Sequence, residues 1–309
     1  MRHKAVESRI TTLSAPLSDS EWHKVLQGKA SIFDDFGPWR IYSSLFCTFG
    51  LDNSVRGKVW CKLLSIETTK ETFVKGIYQK LLALEATELD KMIENDHIGT
   101  RSTLMEVSTT SKKRSYFTAC EKKLKNIIRA YGQMDPEVGY SQGYNYIIAL
   151  LLRFIPDEES CFWCFIEIMT EMNWRRFFIV SDPTMATLQA DMPEFLQLSC
   201  PRLYEKMKED CEIQLMSLTF TFPQRYLMSI FTCEQPIEIS KSILDLFIFE
   251  SSGERCLLRI LSKMLSHVEE RCLSMGEKEV FQYINKGEFV QDCFREISLE
   301  NLFRDDSTC

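Results

Sequence analysis

The sequence predicts an all-α fold. Nearly every apolar stretch repeats at intervals of three and four residues, which is the spacing of a helix that buries one face. No run of residues alternates apolar and polar side chains in the manner of a half-buried strand. Proline and capping residues separate the apolar stretches, as expected at helix boundaries. We therefore expect a single multi-helix domain with a dozen or more helices.

The apolar stripes place the main helices in order along the chain. Each stripe predicts one buried helical face. The clearest stripes run through residues 55–63, 124–131, 147–155, 162–169, 239–247, 257–265 and 290–297.

Local residues mark where several helices begin and end. Asp182 is placed to cap a helix that has Pro183 in its first turn, and Pro201 and Pro236 are expected to begin two others. Gly253 is expected to end a helix. No Gly/Ser or Pro-rich tract divides the chain, and no repeat of 20 to 50 residues is evident, so one domain is favoured.

Composition disfavours several classes of protein. The net charge of -7 gives no general attraction to nucleic acid, so no nucleic-acid partner is expected. The most apolar stretch, residues 144–152, is about half the ~20 residues that span a bilayer, and Arg153 follows it. The first twenty residues lack the apolar core of a secretory signal. We expect a cytoplasmic protein without a transmembrane segment, peripheral to membranes or part of a cytoskeletal assembly.

The cysteine pattern favours reduced thiols over a metal site. The 12 cysteines are scattered, and many lie on apolar helical faces. Cys161 and Cys164 form a CxxC pair, but a zinc site would need a second close pair of ligands, and the four histidines are isolated. Zinc binding and redox chemistry are therefore disfavoured.

One polar segment stands out before a strongly apolar helix. Gly139 and Gly143 bracket Gln142 there, and glycine permits a tight turn and the close approach of another backbone. A glutamine at such an entry is able to orient a water molecule, as a glutamine does in GTP hydrolysis. The alternative is an amide that only caps a helix or fills the core.

Four motifs in this order carry a resemblance to a known family: Arg56-Gly-Lys-Val-Trp60, Gly139-Tyr-Ser-Gln-Gly143, Pro201-Arg-Leu203 and Leu244-Asp245. Together they resemble the TBC family of Rab GTPase-activating domains. The resemblance implies a TBC-type domain at residues 20–270. Composition predicts a loosely structured segment at 1–19 before it, because the stretch is rich in Ser and Thr. Residues 271–309 would then supply C-terminal helices that complete the domain, and a short tail.

The resemblance also implies a catalytic pair that is incomplete in this chain. Members of the family insert a glutamine, here Gln142, to align the attacking water, and an arginine from an IxxDxxR motif to neutralise charge. The second motif retains Ile93 and Asp96, but Gly99 stands at the arginine position. An arginine finger is worth about 10³ to 10⁵ in rate. Arg101, two residues further on, is a candidate substitute, since two residues span up to ~7 Å.

Partner binding follows from the same resemblance. Tyr140, Gly143, Arg56 and Trp60 are the residues implied to support binding of a Rab-family GTPase. The chain needs no cofactor of its own, because GTP and Mg²⁺ would belong to the partner GTPase.

The sequence leaves three functional hypotheses open. The first is a regulator of Rab GTPases that is weak or inactive as an activator. The second is a non-catalytic adaptor that binds a Rab in its GTP state, and the third is a structural component of a larger assembly, both motivated by Gly99. Two further clusters, Lys112 to Lys125 and Trp174 to Arg176, have open roles as partner contacts or as ordinary surface and core-edge residues.

Overall fold

A computed structural model describes residues 17–30, 41, 51–85, 87–96, 111–210 and 212–303 of the chain. Within these ranges the regular structure consists of sixteen α-helices with one 3₁₀ and one π segment, and no strand occurs among them. The prediction of an all-α fold is confirmed.

The helices of the first half are short, apart from the long α6. They are α1 (Asp19–Leu26), α2 (Asn53–Leu63), α3 (Ile66–Thr72), α4 (Ile77–Leu82), α5 (Thr87–Asp96), α6 (Ser111–Met134), α7 (Tyr144–Phe154) and α8 (Glu158–Met169). A 3₁₀ helix at Trp174–Phe178 leads into the second half.

The second half is built around the long α13. Its helices are α9 (Thr184–Ser199), α10 (Pro201–Asp210), α11 (Glu212–Thr221), α12 (Ile237–Glu250), α13 (Glu254–Leu273), α14 (Glu277–Asn285), α15 (Glu288–Glu296) and α16 (Leu299–Phe303). A π segment at Phe222–Leu227 follows α11. Helices α9, α10, α12, α15 and α16 all pack against α13.

Helix α7 is the centre of the first half of the core. It packs against α2, α6, α8 and α12, and every residue from Tyr144 to Leu152 is buried. The apolar stripe at 147–155 predicts one buried face, but the helix is buried all round. The reason is that neighbours cover α7 on several sides, so Asn145 is also buried, at 2% exposure.

Most of the predicted helix boundaries are found in the structure. The Asp182 carboxylate accepts a hydrogen bond of 2.9 Å from the backbone N–H of Thr184, the first residue of α9. Pro201 begins α10, and Pro236 immediately precedes α12.

The expectation that Gly253 ends a helix is wrong. Helix α12 ends at Glu250, and Ser251 terminates it by adopting left-handed backbone, with φ of 52°. Gly253, with φ of 60° and ψ of -132°, immediately precedes α13 instead. The glycine therefore supports the entry to the second helix, because a residue with a side chain rarely adopts these angles.

A close crossing between α2 and α7 depends on Gly57. A Cβ atom added at Gly57 would lie 2.0 Å from the backbone oxygen of Phe154, at the end of α7. Only glycine allows this approach. The glycine of the Arg56-to-Trp60 motif is thus a packing requirement.

The last helices are part of the same packed body. The Tyr226 hydroxyl donates to the backbone oxygen of Ile284 in α14, and the Phe289 ring of α15 lies 5.4 Å from the Tyr226 ring. Arg271 of α13 forms an ion pair with Asp292 of α15.

The structure also reports on the cysteines and on membrane spans. The cysteines in the described ranges are free thiols, and all of them except Cys61 and Cys233 are buried. No group of three or more potential metal ligands lies in the described part of the chain. None of the helices described here combines the length and apolar character that crossing a bilayer requires.

Candidate functional site

The loop that carries Gln142, residues 135–143, connects α6 to α7 and is called the Gln142 loop below. The Gln142 side chain is exposed to solvent. The Tyr144 hydroxyl donates a hydrogen bond of 2.8 Å to the backbone oxygen of Gly139, and the backbone N–H of Gly143 donates to the Asn145 side chain at 2.9 Å. The loop is therefore fixed on either side of an exposed amide.

An ion-pair network stabilises the beginning of the Gln142 loop. Arg175 donates two hydrogen bonds to Asp135, one of them at 2.8 Å from Nη2, and a third at 2.6 Å to Glu137. Asp135 also accepts a hydrogen bond of 2.9 Å from the Tyr131 hydroxyl. Paired hydrogen bonds between an arginine and a carboxylate fix orientation as well as distance. Arg175 and Asp135 were not predicted as site residues, because 40 positions separate them in the sequence.

The electrostatics of this network favour the charged form of Asp135. Partial burial acts to raise the pKa of Asp135, but hydrogen bonds from Arg175 and Tyr131 outweigh it, so the pKa lies below its ordinary value of 3.8. Burial and the Asp135 charge raise the pKa of Tyr131 above its ordinary value. Tyr131 is therefore a neutral donor and Asp135 a charged acceptor at neutral pH.

The other end of the Gln142 loop packs against the segment after the π helix. Gly143 has φ of 121°, and a Cβ atom added there would lie 3.0 Å from Met228 Cε. The Trp174 indole donates a hydrogen bond of 2.9 Å to the Met228 backbone oxygen. Ile230 has φ of 53°, which is costly for a β-branched residue and persists only where the surroundings compensate.

Arg56 and Trp60 form a buried cluster with Asp245. The Trp60 indole donates to Asp245 Oδ1 at 2.7 Å, and Arg56 Nη1 forms an ion pair with Asp245 Oδ2. Arg56 also donates to the Leu51 backbone oxygen at 2.6 Å and to Asn53 Oδ1 at 3.2 Å. Burial lowers the pKa of Arg56 to about 10, so its guanidinium remains charged at neutral pH.

This cluster bears on the implied binding role of Arg56 and Trp60. Their exposed fractions are 4% and 0%, and their polar atoms bond within the chain. Neither side chain faces solvent, so an effect on partner binding would be indirect, through the placement of α2 against α12. Tyr140 is half-buried beside the Tyr144 ring, at 5.8 Å between centroids.

The structure describes only part of the IxxDxxR motif at residues 93–99. Gly99 and Arg101 lie outside the described residues, as does the side chain of Asp96, the last residue of α5. Ile93 of the same motif is buried in the core.

Helix α5 and the Gln142 loop both pack against Gly132 of α6. A Cβ atom added at Gly132 of α6 would lie 2.8 Å from Leu89 Cδ2 and 3.2 Å from the Gly139 backbone oxygen. Leu89 belongs to α5 and Gly139 to the Gln142 loop. The helix that carries Ile93, the first residue of the second motif, and the loop that carries Gln142 therefore pack against the same position of α6.

The two other clusters singled out in the sequence have partners within the chain. Trp174 is fully buried, and Arg176 forms an ion pair with Glu254, so the core-edge interpretation of this cluster is favoured. In the basic cluster, Lys123 donates to the Pro156 backbone oxygen at 2.6 Å. The side chains of residues 112–114 lie outside the described part.

Comparison with solved structures agrees with this architecture. The chain is similar to a structure described as the Chlamydomonas flagellar RabGAP TBC domain, with a TM-score of 0.68, 18% identity and coverage of 92% of this chain and 88% of that one. It is also similar to the Ypt/Rab-GAP domain of Gyp1p, with a TM-score of 0.57, 15% identity and coverage of 81% and 90%. At these identities the likeness establishes the fold.

Sequence comparison gives the family. The chain is 27% identical over 243 residues to GTPase-activating protein GYP5 of Eremothecium gossypii, and the match covers 78% of this chain and 26% of that protein. It is 24% identical over 285 residues to Growth hormone-regulated TBC protein 1-A of Danio rerio, covering 88% and 72%. The chain spans about a quarter of the length of several relatives it matches, including the first of these. Residues 53–273 match the family described as Rab-GTPase-TBC domain, and the chain belongs to that family.

Proposed function

We propose that this chain binds a Rab-type GTPase in its GTP state and presents Gln142 to the nucleotide, with weak or no acceleration of hydrolysis. The observation that carries the proposal is an exposed glutamine on a loop that is fixed at both ends. An amide in such a setting is able to orient a water molecule with little loss of conformational freedom, and positioning supplies much of the catalysis in GTP hydrolysis.

Arg175 contacts the Gln142 loop directly, so it is a candidate for a catalytic arginine. Its contacts argue against that role. Its guanidinium already bonds to the carboxylates of Asp135 and Glu137. Withdrawing it from two carboxylates to stabilise a partner's phosphate would leave both without their cation. Arg175 is therefore a positioning residue in this proposal.

Gly99 limits the expected rate. An arginine finger contributes about 10³ to 10⁵ in rate, or roughly 4 to 7 kcal/mol of transition-state stabilisation. A glutamine amide carries no net charge and does not replace that contribution. Arg101 is the candidate substitute for the missing arginine finger. In this proposal Asp96 is a residue that the chain retains from the IxxDxxR motif.

Relatives support a GTPase partner. The relative from Eremothecium gossypii is named a GTPase-activating protein, and the Chlamydomonas structure is described as a RabGAP domain. No cofactor of the chain's own is part of the proposal, since GTP and Mg²⁺ belong to the GTPase.

A second candidate function, that of a non-catalytic binding or structural protein, rests on the presence of Gly99 at the arginine position. A chain that retains the fold and lacks the arginine is suited to act as a non-catalytic adaptor for a GTP-bound Rab, or as a structural component of a larger assembly. In either case the site of action would be the cytoplasm, at a membrane surface or on a cytoskeletal assembly.

The proposed domain limits are residues 20–270, with the helices after residue 270 completing the domain. Support comes from the contacts of α14 and α15 with the π segment and α13, which bury Phe289 completely. Removing these helices would expose that apolar surface to water. The predicted boundary at residue 19 is slightly late, because Ser18 caps α1 and Leu17 is buried in the core.

Single-turnover GTP hydrolysis with a panel of purified Rab proteins tests the proposal. We expect a small acceleration with at least one Rab, lost in Gln142→Ala and reduced in Arg101→Ala if Arg101 substitutes for the finger. Gln197→Ala, an exposed glutamine on α9, is the matched control and should behave as wild type.

A pull-down with GTP-loaded and GDP-loaded Rab proteins separates the candidates. Binding to the GTP form without any acceleration supports the adaptor. Acceleration that persists in Gln142→Ala contradicts the glutamine mechanism. Absence of both binding and acceleration across the panel contradicts the Rab proposal and leaves the structural component.

A further inference from the structure

Two cysteines from distant parts of the chain have their sulfur atoms in contact. Cys61 lies in α2 and Cys164 in α8, 103 positions later, and their Sγ atoms are 3.6 Å apart. A disulfide bond has a sulfur–sulfur distance of about 2.0 Å. The two sulfur atoms therefore need to approach by about 1.6 Å for a bond to form.

The two thiols differ in accessibility and in acidity. Cys61 is partly exposed, whereas Cys164 is fully buried. The hydrogen bond with Cys164, and to a lesser degree the nearby Lys70 charge, lower the pKa of Cys61 despite partial burial. Burial raises the pKa of Cys164 well above its ordinary value. Cys61 is thus the more accessible and the more acidic of the two thiols, and the thiolate is the form that reacts with oxidants.

Cys161 is the other candidate partner, because it forms the CxxC pair with Cys164. Its Sγ lies 4.0 Å from the backbone oxygen of Ile148 in α7, and burial raises the pKa of its thiol well above the ordinary value. Cys161 is fully buried, so a soluble oxidant reaches Cys61 first. The reactive pair therefore joins two helices, and the CxxC spacing is incidental.

We propose that Cys61 and Cys164 are a redox modification site that a peroxide converts to a disulfide. The Cys61 thiolate attacks one peroxide oxygen, the O–O bond breaks, and Cys61 becomes a sulfenic acid while hydroxide leaves. The Cys164 sulfur then attacks the Cys61 sulfur, an S–S bond forms, and the sulfenic oxygen leaves as water with the thiol proton. Two thiols lose two electrons in total, and the peroxide gains them.

The bond would connect the helix that carries Arg56 and Trp60 to α8. The α3 helix next to α2 already contacts α8, through the hydrogen bond from Thr69 to Glu167. The crosslink therefore reinforces an existing contact, and by closing a long loop it restricts the unfolded chain. A dithiol such as dithiothreitol would reverse it by exchange.

Treatment of the full chain with hydrogen peroxide tests the proposal. Non-reducing peptide mapping by mass spectrometry should show one peptide pair joined through Cys61 and Cys164, with two thiols lost per chain. The melting temperature should rise by several degrees and return after dithiothreitol. The map of wild type needs no variant, so it is informative even if a substitution fails to fold.

Two variants provide the controls. Cys61→Ser should prevent both the crosslink and the rise in melting temperature. Cys233→Ser, which alters the other partly exposed cysteine of the described ranges, should leave both unchanged. A crosslink between Cys161 and Cys164, or oxidation of Cys61 to higher acids without any crosslink, would overturn the assignment. None of these measurements depends on a GTPase, so the outcome is independent of the proposed function.

Discussion

The guanidinium of Arg56 and the carboxylate of Asp245 form a buried ion pair between residues 189 positions apart. The two side chains are 5% and 1% exposed, and the Trp60 indole donates to the same carboxylate. Two of the motifs that carry the family resemblance thus meet in one cluster, which connects α2 to α12.

Asp245→Asn should destabilise the protein by about 3–5 kcal/mol, because it leaves the buried Arg56 charge without a counter-charge. Urea unfolding followed by circular dichroism measures the loss. Glu88→Gln is the matched control, since it removes one partner of an exposed pair with Lys91 and should change stability by less than about 0.5 kcal/mol. Equal effects of the two substitutions would contradict the buried-pair argument.

Gly57→Ala should cost about 3 kcal/mol, the upper end of the usual range for overpacking, because the added methyl group meets the Phe154 backbone oxygen and no rotamer change relieves a backbone contact. Thermal unfolding measures the effect. Lys58→Ala, at an exposed neighbouring position of the same helix, should be close to neutral. A Gly57→Ala protein with unchanged melting temperature would refute the close crossing of α2 and α7.

Gly143→Ala should destabilise more than Gly76→Ala. Both glycines have positive φ, 121° and 73°, but only Gly143 has a neighbour within 4 Å of the added Cβ, the Met228 Cε atom at 3.0 Å. The left-handed backbone alone costs about 1–2 kcal/mol for a residue with a side chain. Gly143, with ψ of -48°, also lies outside the left-handed helical region that Gly76 occupies with ψ of 20°. The difference between the two unfolding free energies therefore measures the backbone strain and the packing at Gly143 together, and a difference of zero would contradict both.

Asp135→Asn should reduce stability at neutral pH by about 1–2 kcal/mol, because it weakens hydrogen bonds from Arg175 and Tyr131 to a charged acceptor. The folded pKa of Asp135 lies below its ordinary value of 3.8. Its charge therefore stabilises the fold above about pH 4, and this contribution declines as pH falls through the lower folded pKa. Unfolding free energies of both proteins between pH 3 and 7 check the sign. A difference that grows toward low pH would be inconsistent with the network.

Gly99→Arg should increase GTP hydrolysis by the partner Rab above the wild-type level, if the proposed binding face is intact. The gain should remain below the 10³ to 10⁵ of a complete arginine finger, because the surrounding residues have not adapted to the new side chain. The double variant with Gln142→Ala is the control and should lose most of the gain. An inactive Gly99→Arg protein that still binds GTP-loaded Rab would contradict the proposed geometry.

Part of this protein follows from the sequence by itself. The apolar spacing predicts the helices, since burying one face of a helix requires side chains at intervals of three and four. Asp182, Pro201 and Pro236 mark boundaries correctly because capping and proline chemistry act over a few residues. Local patterns also single out Gln142, because two glycines beside a polar side chain are unusual ahead of an apolar helix.

Other features were decided only by the tertiary structure. The ion pairs of Arg56 with Asp245 and of Arg175 with Asp135 join positions whose proximity depends on how the helices pack. The expectation that Gly253 ends a helix is wrong, because Ser251 adopts the left-handed conformation that ends α12. Sequence spacing therefore determines which residues face a core, whereas the packing of distant helices determines which charges and sulfur atoms meet.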